Sequence, residues 1–154
     1  MVNKTVVSDR SRSEIRELLR KVSTEKGGIA LAMLAQSPDL GDKWSFVISA
    51  PWIDLEEPRA VVGYLSAHLK RYLDRDALST IDRISTLRSD HRLVITILDF
   101  LGLEISLDSD AYPIRDFVIE DVRFPMAFVF IAERHPENKR IAGYSANRHA
   151  AIRQ

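Results

Sequence analysis

Residues 43–69, KWSFVISAPWIDLEEPRAVVGYLSAHL, decide the fold class. Trp44, Phe46 and Ile48 alternate with Ser45, Val47 and Ser49, the two-residue period of a strand that buries one face. Val61, Val62, Leu65, Leu69, Tyr72 and Leu73 then recur at helical spacing and predict a helix over 58–74. Pro58 suits the first helical position, where its missing N–H costs nothing, and Lys70, Arg71 and Arg75 gather where cations complement the helix dipole. The carboxylates Asp54, Glu56 and Glu57 lie beside the positive end of that helix, and capping accounts for all three.

On the N-terminal side, IALAMLAQ (29–36) is apolar on both faces and is followed by the turn-forming SPDLGD (37–42). The expected arrangement is a hairpin of 29–36 with 43–50. Before it, Ile15, Leu18, Leu19 and Val22 form one face of a helix over 12–22, with Ser11 and Glu14 as a capping box and Gly27-Gly28 as the stop. Arg12, Arg16 and Arg20 make a second stripe on that helix, which Glu14 and Glu17 interrupt, so a solvated face outweighs a phosphate site.

On the C-terminal side, 76–87 reads as a short turn and a strand over 80–87. Leu93, Val94, Ile97, Leu98 and Leu101 predict a helix capped by Ser89 or Asp90 and stopped by Gly102. LEISLD (103–108), RDFVIEDV (115–122) and MAFVFIAE (126–133) then read as strands, with RFP (123–125) as the connector of a hairpin between 116–122 and 126–133. This order describes an α+β fold: a mixed, mainly antiparallel sheet of about five or six strands with helices packed on one face. Residues 1–133 form one domain in this reading, and 134–154 form a basic, mobile C-terminal tail.

A chain of 154 residues that is 45% hydrophobic and 29% charged, with a formal charge of zero, has the composition of a globular protein and no overall attraction to nucleic acid or membrane. The charge is nevertheless uneven. Residues 1–28 hold seven basic and four acidic groups, and residues 134–154 hold five and one, around an acidic centre. No cysteine is present, which removes disulfides, thiolate metal sites and cysteine nucleophiles and is compatible with a cytoplasmic location. The start of the sequence has no apolar signal region, and no run reaches a membrane-spanning length, so a cytoplasmic location is expected.

Phosphate-binding glycine loops, a nucleophile elbow and a zinc-binding histidine pair are all missing as motifs, so neither a cofactor nor a metal is expected. Asp108 and Asp110 resemble half of a calcium loop, but the glycine and distal glutamate that complete one are not there, and a turn is expected. Ser145 and His149 lie in the tail, without the rigid setting that nucleophilic catalysis requires.

The candidate functional cluster is Asp54, Glu57, His68 and His91, with His68 on the helix near its apolar side. Trp44, Trp52, Tyr64 and Tyr72 concentrate on one strand and helix and form the candidate interface. The sequence does not name an activity. Its leading reading is a non-catalytic interaction or regulatory domain with an unidentified protein partner, self-associating as a homodimer. The alternatives are a small-molecule enzyme with a site built from dispersed acids and histidines, and a nucleic-acid binder using the basic termini.

Overall fold

The computed structural model describes residues 8–36, 43–119 and 121–134. The chain runs α1 (Asp9–Lys26), β1 (Leu31–Gln36), β2 (Trp44–Ser49), α2 (Pro51–Asp54), α3 (Pro58–Tyr72), α4 (Arg75–Ser79), β3 (Ile81–Leu87), α5 (Arg92–Leu101), β4 (Tyr112–Ile119) and β5 (Val122–Ala132). One sheet takes the order β3-β2-β1-β5-β4. Only the β2–β3 pair is parallel, and the expected α+β class with a mixed, mainly antiparallel sheet is what the chain forms.

The expected hairpin pairs Leu31 with Ser49 and Gln36 with Trp44. β1 is apolar from Leu31 to Ala35 because it is covered on both faces and flanked by strands on both edges. Ala32 and Leu34 join one core with Phe46 and Ile48, and Leu31, Met33 and Ala35 join a second core on the other side. Against the first core lie α1, through Ile15, Leu18, Leu19 and Val22, and α3, through Val61, Leu65 and Leu69. Each of those side chains contributes about 1.5–3 kcal/mol by leaving water. The short α2 and α4 pack on that side too, through Trp52, Ile53 and Ala77. Packing on one face thus holds for α1 to α4, while α5 sets Val94, Ile97 and Leu98 on the opposite face against Ile114, Phe117 and Val129. Without α5 the apolar odd-numbered positions of β1 would face water.

Several boundaries move. α1 begins three residues before the expected start: Ser8 is the cap, accepting from the Ser11 N–H at 3.0 Å, and Ser11 itself is buried. Glu14 therefore closes no capping box and pairs with Arg10 instead. α4 occupies part of the expected turn, capped by Asp74, which accepts from the Ala77 N–H. The α5 cap is His91 rather than Ser89 or Asp90, and Gly102 ends that helix at φ 65 as expected. LEISLD contributes one bridge, Ile105 to Ala132, instead of a strand.

β4 and β5 are antiparallel neighbours, as expected, but Arg123–Pro125 does not connect them. Those residues lie inside β5, and Asp121, with a left-handed φ of 67, lies between the strands. Arg115 pairs with Met126 and Phe117 with Phe124, which leaves Asp116 (φ 54) and Pro125 between them out of the pairing. A proline without an N–H is tolerated where the ladder is already interrupted. The expected tail beyond Arg134, the first seven residues and the turn at 37–42 lie outside the described residues.

Candidate functional site

The four residues expected to form a functional cluster have separate duties. The Asp54 carboxylate, at the end of α2, accepts from the Ser89 N–H at 2.9 Å and from the Ser89 hydroxyl at 2.5 Å. It ties α2 to the turn before α5 and makes no cap for α3. Glu57 holds the N-cap position of α3 through its backbone, with no side-chain hydrogen bond to the helix. Glu56 pairs with Lys26 at 3.2 Å. The reading of the acids as caps is thus corrected for Asp54 and Glu56: their partners are Ser89 and Lys26, distant in sequence, and local spacing could not reveal them, while Glu57 keeps the cap position without a side-chain bond. His91 Nδ1 accepts from the Leu93 N–H at 3.0 Å, which commits that nitrogen to the start of α5. Among the described residues no hydrogen bond or ion pair joins any two of Asp54, Glu57, His68 and His91, and no group of three or more acids and histidines is set to hold a metal.

His68 has other company. Tyr64, His68 and Tyr72 follow one another at four-residue spacing along α3, and their rings form a ladder: Tyr64 to His68 at 4.4 Å, His68 to Tyr72 stacked at 6.5 Å. The Tyr64 hydroxyl donates to Glu25 Oε1 on α1 at 2.5 Å, and His68 Nε2 lies 3.4 Å from the same oxygen. The other ring nitrogen, Nδ1, is 3.0 Å from the Tyr64 carbonyl oxygen. Lys26 Nζ stands 4.9 Å over the Tyr64 ring and 5.8 Å over that of Trp52.

Burial, followed by the hydrogen bond to Glu25, pushes the Tyr64 hydroxyl pKa up from its ordinary value of 10.0. That same hydrogen bond, with help from Lys21 and His68, holds the Glu25 carboxyl below its ordinary 4.5. A tyrosine that keeps its proton and a glutamate that keeps its charge exchange nothing near neutral pH, so neither suits general acid–base work. The contact fastens α1 to α3. Glu25 was not singled out in the sequence, because its partner Tyr64 stands 39 residues away on another helix.

Trp44 and Trp52 are only 5% and 8% exposed and belong to the core beneath α1 and α3. As interface candidates they are corrected: a side chain already buried in its own domain has no surface left for a partner. Tyr64 and Tyr72 stay partly exposed at the edge of that core. The arginine stripe on α1 is likewise occupied. Arg12 and Arg16 grip Asp110 at 3.1 and 2.8 Å, and Arg20 donates to the Leu107 carbonyl at 2.7 Å, which pins the turn before β4. Asp108 and Asp110 thus belong to a turn, as expected.

A concave surface lies elsewhere, between α3 and β3. It encloses about 350 Å³. α3 supplies Val62, Ser66, Leu69 and Lys70, and β3 supplies Ile81, Ile84 and the Asp82–Arg83 pair, joined at 3.3 Å. β3 ends the sheet, so its outer row of backbone N–H and C=O groups has no strand beside it among the described residues. The two sheet edges differ. β4 carries Pro113, the left-handed Asp116 and the Arg123–Asp116 ion pair, devices that discourage another strand from pairing. β3 breaks register at Asp82 and then runs evenly from Arg83 to Leu87, with no charge in Ile84–Leu87.

Comparison with protein-family models, curated proteins and solved structures finds no match. No helix among the described residues is long and apolar enough to cross a membrane.

Proposed function

We propose that this chain is a non-catalytic interaction domain whose docking surface is the groove between α3 and the outer edge of β3. One observation carries the reading: a groove of about 350 Å³ has Val62, Leu69, Ile81 and Ile84 in its lining, and from Ile84 the same strand continues to Leu87 as a regular, uncharged sheet edge. An extended chain laid there gains main-chain hydrogen bonds from β3 and places alternate side chains under α3. The hydrogen bond between Tyr64 and Glu25 supports the same reading, because the proton affinities of those two groups suit a fastening better than a reaction.

The test is a display library of random linear peptides, panned against the full chain and against Ser66→Arg, whose added side chain fills the groove. Peptides that bind the parent chain and are lost on the folded variant support the proposal. Binders indifferent to Ser66→Arg, or hydrolysis or transfer of a small molecule with no binding at the groove, would overturn it.

A further inference from the structure

The charge around the groove narrows what it takes. Most cations of the described chain have an acidic neighbour: Arg10, Arg12, Arg16, Arg20, Lys21, Lys26, Arg83, Arg88, Arg123 and Arg134 all sit in ion pairs. Arg59, Lys70, Arg71 and Arg75, on α3 and at the start of α4, form none among the described residues. Within the groove lining, Asp82 and Arg83 compensate one another, so Lys70 is left as its uncompensated charge. Arg59 falls on the same side of α3, at helical spacing with Val62, Ser66 and Lys70. The open side of the helix therefore carries a cation near each end and an apolar and small-residue stretch between them.

Lys70 lies eleven positions beyond Arg59 on the helix, a rise of about 16 Å, which an extended strand covers in about five residues. From this, and resting on the interaction reading above, we infer that the groove takes an extended peptide of alternating apolar residues with two carboxylates about five residues apart, added as a strand to the edge of β3. The carboxylates meet Arg59 and Lys70, the apolar side chains enter between Val62 and Ile84, and the peptide backbone pairs with Ile84–Leu87. A second copy of β3 fits less well. Two-fold pairing sets two α3 helices antiparallel, and Arg59 of each then faces the end of the other that carries Lys70. Nucleic acid leaves the apolar floor and the strand edge unused.

The experiment uses the full chain and three labelled synthetic peptides that share a valine–threonine core and carry glutamate, glutamine or lysine at the two flanking positions. Affinity is read by fluorescence anisotropy at low and high salt, and amide exchange is followed at Ile84–Leu87. The glutamate peptide is expected to bind about tenfold tighter than the lysine peptide at low salt, with the gap closing as salt rises. Ile84–Leu87 amides gain protection on binding. Lys70→Glu, a change at an exposed side chain, should reverse the preference towards the lysine peptide, a gain that misfolding cannot imitate. Equal binding of all three peptides at this edge overturns the acidic-strand inference and leaves the interaction domain standing. So does a concentration-dependent dimer, seen by sedimentation, that protects the same amides without peptide. Displacement of the glutamate peptide by a DNA duplex, with no amide protection at β3, overturns both.

Discussion

Asp54 and Ser89 stand 35 residues apart in sequence and are joined twice, through the backbone N–H and through the hydroxyl of the serine. One carboxylate thereby holds α2, on one side of the sheet, to the turn that leads into α5 on the other. The two layers are connected across the end of the sheet as well as through it.

Asp54→Ala should cost about 2 kcal/mol, since two hydrogen bonds to a charged acceptor are lost. Glu57→Ala, which removes no side-chain hydrogen bond, should stay within about 0.5 kcal/mol. Urea denaturation of the two variants measures both. Equal losses would restore helix capping as the role of this acidic segment.

Alkali should expose the Tyr64–Glu25 contact. The folded chain keeps the Tyr64 proton to higher pH than the unfolded chain, whose tyrosines ionise around 10.0. Its contribution is therefore whole below pH 10 and declines as pH rises from there towards the folded-state value. Stability curves of the parent and Tyr64→Phe should run parallel below pH 10 and converge above it. Curves that stay parallel throughout would remove the hydrogen bond from the account.

Acid acts on Asp110 in the opposite sense. The hydrogen bond from Arg12, aided by the Ala111 N–H and the charges of Arg12 and Arg16, holds its carboxyl below the ordinary 3.8. The contribution is present above pH 3.8 and lost as pH falls below it. Asp110 is 58% exposed, so solvent screening limits the coupling to about 1 kcal/mol or less. A double-mutant cycle of Arg12→Ala and Asp110→Ala reads that coupling at neutral pH, and it should vanish in strong acid.

Legibility followed sequence distance. The amphipathic faces of α1, α3 and α5, the 29–36 hairpin and the adjacency of β4 and β5 rest on periodicity and on turns a few residues long, and each is found. Long-range partners could not be read. Nothing within ten residues of Asp54 points to Ser89, and nothing near Arg12, Arg16 or Arg20 points to Asp110, although their spacing did reveal a common stripe. Pro125 looked like a turn because prolines rarely enter a strand, yet the interruption at Asp116 gave it a place. The tryptophans looked like interface because aromatic side chains serve cores and interfaces equally well, and only burial separates the two uses. The groove escaped the sequence altogether, since it arises where α3 meets a strand that follows it in the chain.

The place of β1 in the sheet also bears on how the protein is made. One of its edges is closed by β2, its hairpin partner, but the other waits for β5, which begins at Val122. While residues 37–121 are being synthesised, on the order of ten seconds at ribosomal rates, β1 presents the apolar run Leu31–Ala35 with an open side. Nascent chains held on one ribosome are spaced from those on the next, and a chaperone can shield such a segment. Fragments released before Val122 have no such protection and should collect in the insoluble fraction.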